Sequence, residues 1–191
     1  AFKPIITQAL KNLSKIYDIE LWAMYNLKDL GKTKIYNKYE KYFKLKHIQY
    51  SEENYANYLA KVDIGLVPQL IPQRDNFFTR IFTTGFKRYN QSSSDYILRF
   101  KDTTNLGRHF IFAQLKIPII SDITPSSVSF IRHGENGYLA YSRQNWEDCI
   151  SALIEDPLLR KKIGSQSFQD WNNNFSHQIL NDKLIEMLKT L

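Results

Sequence analysis

From residue 3 to about residue 140, short apolar runs alternate with stretches of helical period, and this alternation constrains the fold more than any other feature. Ile5, Ile6, Ala9, Leu10, Leu13 and Ile16 recur at helical spacing and predict an amphipathic helix over residues 3–17. The run ELWAMY (20–25) follows as a buried strand, and LKHIQY (45–50) as another. Ser51 with Glu52 and Glu53 behind it reads as an N-cap with acids in the first turn of a helix. DIGLVP (63–68), IPIIS (117–121) and GYLA (137–140) are further strands. Parallel strands need crossover helices, so the alternation predicts an α/β chain with a mostly parallel sheet. Beyond residue 143 three helices are expected, the last over 176–191, either packed across the domain or returning towards a half of the protein outside this chain. Residues 69–101 show no clean period and read as an insert, with Gln91 to Ser94 as a flexible connection.

At 191 residues and 43% apolar content, the chain has material for one large domain with a real core. The net charge of +7 is local: residues 1–50 carry ten lysines against four acids, while the rest is nearly neutral. The excess centres on residues 28–46. In residues 34–46 (KIYNKYEKYFKLK) lysine interleaves with aromatics. Such a stretch suits an anionic membrane surface, nucleic acid, or a surface helix with its aromatic side on the sheet. Confinement of the charge to about one helix argues against nucleic acid as a partner.

The single cysteine, Cys149, permits no internal disulfide, which is natural in a reducing, cytoplasmic compartment. His47, His109, His133 and His177 show no ligand spacing, so no metal site is expected. No membrane-length apolar run or signal peptide is visible, and the opening without methionine suggests a piece of a longer protein.

The polar residues with chemical promise lie between Lys101 and Tyr141. Asn105, Leu106, Gly107 and Arg108 open a helix that runs to Leu115. The first turn of a helix has unpaired N–H groups and a positive dipole end, which favour phosphate. Thr103, Thr104 or Asn105 would cap it, Gly107 would allow close approach, and Arg108 has the fork of donors that suits a diphosphate. Lys101 adds a charge, and His109, beside Arg108, is placed to contact phosphate. A second cluster, Ser121, Asp122, Thr124, Pro125, Ser126 and Ser127, follows the strand IPIIS. In an open parallel sheet both clusters fall at the carboxyl ends of strands, where ligands bind. The structural alternative is a capped helix with solvated charges and two ordinary loops. His133 to Gly137 (HGENG) reads as a turn in which Gly134 and Gly137 supply positive φ.

KIPIIS (116–121), Pro125, IRHGENGYLA (131–140) and WEDCISALIEDPLLRKKIG (146–164) together resemble the C-terminal half of group 1 glycosyltransferases of the GT-B fold. YSEENYANYLAKVDIGLVP (50–68) and FKPIITQALKNL (2–13) are similar to that family's upstream elements. The resemblance covers most of residues 3–175. It implies a Rossmann-like, three-layer αβα domain occupying residues 1–191, with the acceptor-binding N-terminal domain outside this chain.

It also implies a nucleotide-diphosphate sugar (UDP-, GDP- or similar) as donor substrate, with no permanently bound cofactor. Sugar transfer to a saccharide or lipid-linked hydroxyl in surface polysaccharide or glycolipid synthesis would follow. The implied donor-binding residues are Lys101, Thr103, Thr104, Asn105, Gly107, Arg108, Ser121, Thr124, Pro125 and Ser126. Many family members carry two glutamates eight residues apart here; register on Ile117 and Pro118 puts Thr103 and Ile111 at those places. No catalytic residue is assigned. The alternative function is a non-catalytic α/β nucleotide-binding or interaction module.

Overall fold

The computed structural model describes residues 4–26, 39–69 and 105–190. The elements run α1 (Pro4–Leu13), β1 (Glu20–Tyr25), β2 (Lys44–Gln49), α2 (Tyr55–Leu59), β3 (Gly65–Val67) and α3 (Gly107–Gln114). They continue with β4 (Ile119–Asp122), α4 (Pro125–Val128), β5 (Tyr138–Ala140), α5 (Arg143–Glu155), α6 (Pro157–Phe175) and α7 (His177–Lys189). All strand pairs among the described residues are parallel, as the alternation predicts. They form a pair, β1–β2, and a triplet in the order β3–β4–β5.

The layers follow from β4. Its four residues are all buried, as for a strand covered on both faces. Ile120 joins Leu10 of α1 with Trp146, Ile150 and Leu153 of α5. Its neighbour Ile119 points the other way, into Ala113 of α3, Phe130 and Ile131, with Trp171 and Phe175 of α6 against them. Successive side chains thus enter opposite cores, which defines the αβα sandwich. Phe110, Phe130 and Phe175 close the second core, with ring centroids 5.0 to 5.7 Å apart.

The segment between α5 and α6 is built by capping. Asp156 Oδ1 accepts from Leu158 N and Leu159 N, each at 2.9 Å, and Pro157 takes the first helical position. Arg160 Nη1 reaches back to the carbonyls of Leu153 (2.6 Å) and Ile154 (3.0 Å), satisfying the end of α5.

The turn before β5 is locked by one side chain. Asn136 is fully buried; its Nδ2 donates to the Phe130 carbonyl at 3.0 Å and to Asp170 of α6 at 2.7 Å. Its Oδ1 accepts from Arg132 N at 2.7 Å. Asn136→Ala removes all three hydrogen bonds and takes this donor from the buried Phe130 carbonyl, while Asp170 keeps Arg132, so it is expected to cost about 2 kcal/mol in urea unfolding. Gly134 has φ +82° as expected; Gly137 instead serves close approach, since a Cβ there would lie 3.0 Å from the Ile119 carbonyl.

Lys116, after α3, sits at φ 56°, where glycine is favoured. Its Nζ lies 4.9 Å from the Phe168 ring centre. Relief of backbone strain outweighs that contact, so Lys116→Gly is expected to raise stability by about 0.5–1 kcal/mol.

Several sequence expectations change. α1 stops at Leu13, and Ile16 is 75% exposed, because the chain turns over residues 14–16 instead of continuing the helix. Ser51 caps nothing with its side chain; residues 52–54 form a turn and α2 begins at Tyr55 behind Asn54. Residues 44–46, placed on a surface helix in one reading of the basic stretch, belong to β2, and Phe43 is buried. α7 does not pack across the domain: Leu180, Leu184, Ile185, Met187 and Leu188 are all about half exposed or more. Residues 70–101 of the expected insert, residues 28–38 of the basic stretch and Gln91 to Ser94 lie outside the described residues.

Candidate functional site

Two strands end level with each other. Val67 of β3 pairs with Ser121 of β4, so Pro68 and Gln69 leave the sheet beside Asp122. Both polar clusters gather at this carboxyl edge. The first turn of α3 is tied to it through His109, whose Nε2 lies 3.0 Å from Ser121 Oγ. Asn105 Oδ1 accepts from Gly107 N at 3.3 Å and so caps α3 from one position ahead of the N-cap Leu106. Asn105, Gly107 and Arg108 are exposed at this end.

The second cluster is largely consumed by its own scaffold. Thr124 Oγ1 accepts from Ser127 N at 3.0 Å while Ser127 Oγ takes Thr124 N at 2.8 Å, a reciprocal capping box on α4. Ser127 Oγ also lies 2.7 Å from the Asp122 carbonyl. Ser121 is wholly buried, held between His109 and the carbonyls of Val67 and Asp122. Ser121 and Thr124 therefore shape the edge from within. Pro125 is exposed and Ser126 half-buried at the surface of α4. Lys101, Thr103 and Thr104 lie outside the described residues.

Sequence reading missed Gln69, which it assigned to the insert. Its backbone N–H donates to Asp122 Oδ2 at 2.7 Å, and its Oε1 accepts from Thr124 Oγ1 at 2.9 Å. Gln69 thus ties the end of β3 to the loop after β4. Its Nε2 is buried and has no hydrogen-bond partner among the described residues. Pro68 stopping the strand was the one available signal.

His109 also needs correction. It is fully buried under α3, so its ring does not face a ligand beside Arg108. Burial, aided by the Arg108 charge, pushes its pKa down to about 4. The ring is therefore neutral at pH 7, and among the described residues the cation at this edge is Arg108. Cys149 is buried likewise, and its thiol is pushed up to about 11.

The fold has counterparts among solved structures. It matches a glycosyltransferase from Rickettsia africae with TM-score 0.65 and 15% identity, over 97% of this chain and 43% of that one. It matches Anabaena HepE in complex with UDP-glucose with TM-score 0.58 and 15% identity, over 98% and 44%. HepE in complex with UDP matches with TM-score 0.59 and 16% identity over the same shares. The chain spans less than half the length of these proteins. No family model matches the chain, and no curated protein matches it. At these identities the likeness defines the fold: a Rossmann-like α/β unit of the kind that forms one half of a GT-B glycosyltransferase. The resemblance in sequence holds at that level.

Proposed function

We propose that this chain is the donor-binding half of a glycosyltransferase, and that the exposed amino end of α3 holds the diphosphate of a nucleotide sugar. The observation that carries the reading is the position of Arg108. It stands exposed on a helix start, at the carboxyl edge of parallel strands, in a fold shared with HepE, which holds UDP-glucose. The helix N–H groups and the guanidinium place positive charge where a nucleoside diphosphate leaves. The donor is UDP-, GDP- or similarly linked, and the group transferred is a hexose.

In this reading residues 1–191 are a single domain, with Lys101, Thr103 and Thr104 leading into the site. Pro125 and Ser126 flank it, while Ser121, Thr124 and Gln69 hold its shape. The acceptor, a saccharide or lipid-linked hydroxyl of a surface polysaccharide or glycolipid pathway, sits on an N-terminal domain supplied from outside this chain. The isolated half binds donor weakly and does not turn over. We place it in the cytoplasm, at the inner face of the membrane through residues 28–46. Among the described residues of that stretch Lys46 is engaged by Trp22 (3.8 Å to the ring centre) and Lys44 by Asp18 (2.9 Å). No described helix is long and apolar enough to cross a membrane.

Arg108→Ala is expected to weaken binding of UDP or GDP about 10- to 100-fold in calorimetry. Lys161→Ala, on α6, is expected to leave it unchanged. Equal affinity of Arg108→Ala and the parent chain would sink the assignment.

A further inference from the structure

The scaffold at the carboxyl edge leaves one polar group over. Gln69 is 7% exposed and follows Pro68, where β3 leaves the sheet. Its backbone N–H is taken by Asp122 Oδ2, and its Oε1 accepts from Thr124 Oγ1, whose oxygen in turn accepts from Ser127 N. Its Nε2 carries a pair of N–H donors, and among the described residues neither has an acceptor. Burying an unpaired donor costs its full desolvation, and folded proteins seldom keep such a group. The two limbs of a carboxamide diverge from one carbon, so with Oε1 turned to the loop after β4, Nε2 turns away from that loop. Gln69 N is anchored to Asp122, and His109 Nε2 lies 3.0 Å from Oγ of the adjacent Ser121. The free limb of Gln69 and the first turn of α3 therefore share one strand end.

The chemistry offered at this strand end is one-sided. The first turn of α3 presents backbone N–H groups, Arg108 a guanidinium, and Gln69 Nε2 a neutral pair of donors. Asp122, the acid beside them, is buried with Oδ2 turned to Gln69 N. A nucleobase or a sugar presents donors and acceptors mixed, whereas an ionised diphosphate presents acceptors alone. We propose that Gln69 is a substrate contact as well as a tie: its Nε2 donates to a non-bridging oxygen of the donor diphosphate, beside the charge of Arg108. This rests on the donor-binding reading above and adds to it a residue that contacts the same group without charge. The leftover amide finds its partner in the loaded protein. A neutral donor fixes the rotation of the diphosphate without raising the charge of the empty edge. As the bond to the sugar breaks, negative charge grows on the leaving diphosphate, and a preset N–H at its oxygen gains strength with it.

The test follows the Gln69 side-chain NH2 by nuclear magnetic resonance, assigned through bonds from its own backbone. The 191-residue chain is titrated with UDP and GDP, and separately with uridine and guanosine. Both NH2 protons are expected to shift with UDP or GDP, saturating together with the backbone amides of residues 105–109. They are expected to stay in place with the bare nucleosides at the same concentration. Gln69→Glu keeps an acceptor for Thr124 and the backbone bond to Asp122 but puts oxygen where the donors were. It is expected to weaken binding of the same nucleotide about tenfold, with the free-chain amide spectrum retained at β3 and β4. If that variant does not fold, the side-chain protons of the parent chain decide. Saturating shifts at residues 105–109 with unmoved Gln69 side-chain protons would overturn this inference and leave the donor reading standing. No response to UDP or GDP anywhere would overturn both. An equal response to the nucleosides would assign the amide to base or ribose and overturn the diphosphate contact, as would full affinity of a folded Gln69→Glu.

Discussion

Gly164→Ala is expected to destabilise the chain by about 3 kcal/mol or more, read as a lower urea midpoint at unchanged slope. A Cβ at Gly164 would lie 2.0 Å from the Lys116 carbonyl oxygen and 2.7 Å from its carbon. The obstructing atoms are backbone, so no rotamer change relieves the overlap. α6 would have to withdraw from the loop that joins α3 to β4, loosening the core around Ile119 and Phe130 at the same time. Gly134→Ala is the useful contrast. It has open space around it but φ +82°, so only the backbone term applies, about 1 kcal/mol. Gly164→Ala with parental stability would contradict the packing of α6 on this loop.

Stability is expected to fall on acidification in a way that depends on His109. Its pKa in the folded chain is about 4, against an ordinary value near 6.5. The unfolded chain therefore takes up the proton first as pH drops. The stabilisation from a neutral His109 is complete above about pH 6.5 and is lost progressively towards pH 4. It amounts to on the order of 3 kcal/mol across that window. Carboxylates titrate in the same range, so the quantity to measure is the difference between the parent and His109→Gln. Urea midpoints at pH 7.5 and 4.5 are expected to diverge much more for the parent. Identical pH dependence of the two would place His109 in contact with water.

Much of the fold was legible because its signals are local. Ile119 and Ile120 declare a strand covered on both faces, and Asp156, Pro157 and Arg160 declare the junction of two helices within five residues. What failed depended on partners distant in sequence. Gln69 works through Asp122 and Thr124, more than fifty residues away, and no local pattern marks it. His109 was judged by its neighbour Arg108, although a helix pairs positions four apart. It shares the inner face of α3 with Ala113, and that spacing would have placed it inside. Ser121 and Thr124 carry hydroxyls at a sheet edge where ligands bind, but buried hydroxyls must find partners, and here the scaffold supplies them. Of the groups the sequence singled out at the same edge, Asn105, Gly107, Arg108 and Pro125 face outward among the described residues, and Arg108 is the charged one.

The claim that matters most is that a nucleoside diphosphate binds at the amino end of α3. Backbone amide shifts of the labelled chain, followed during titration with UDP and with GDP, test it directly. The expected result is saturable shifts with at least one of the two, concentrated at residues 105–109, at Gln69 and around residues 122–126. A folded chain whose amides do not respond to either nucleotide, or whose shifts cluster away from this edge, would contradict it.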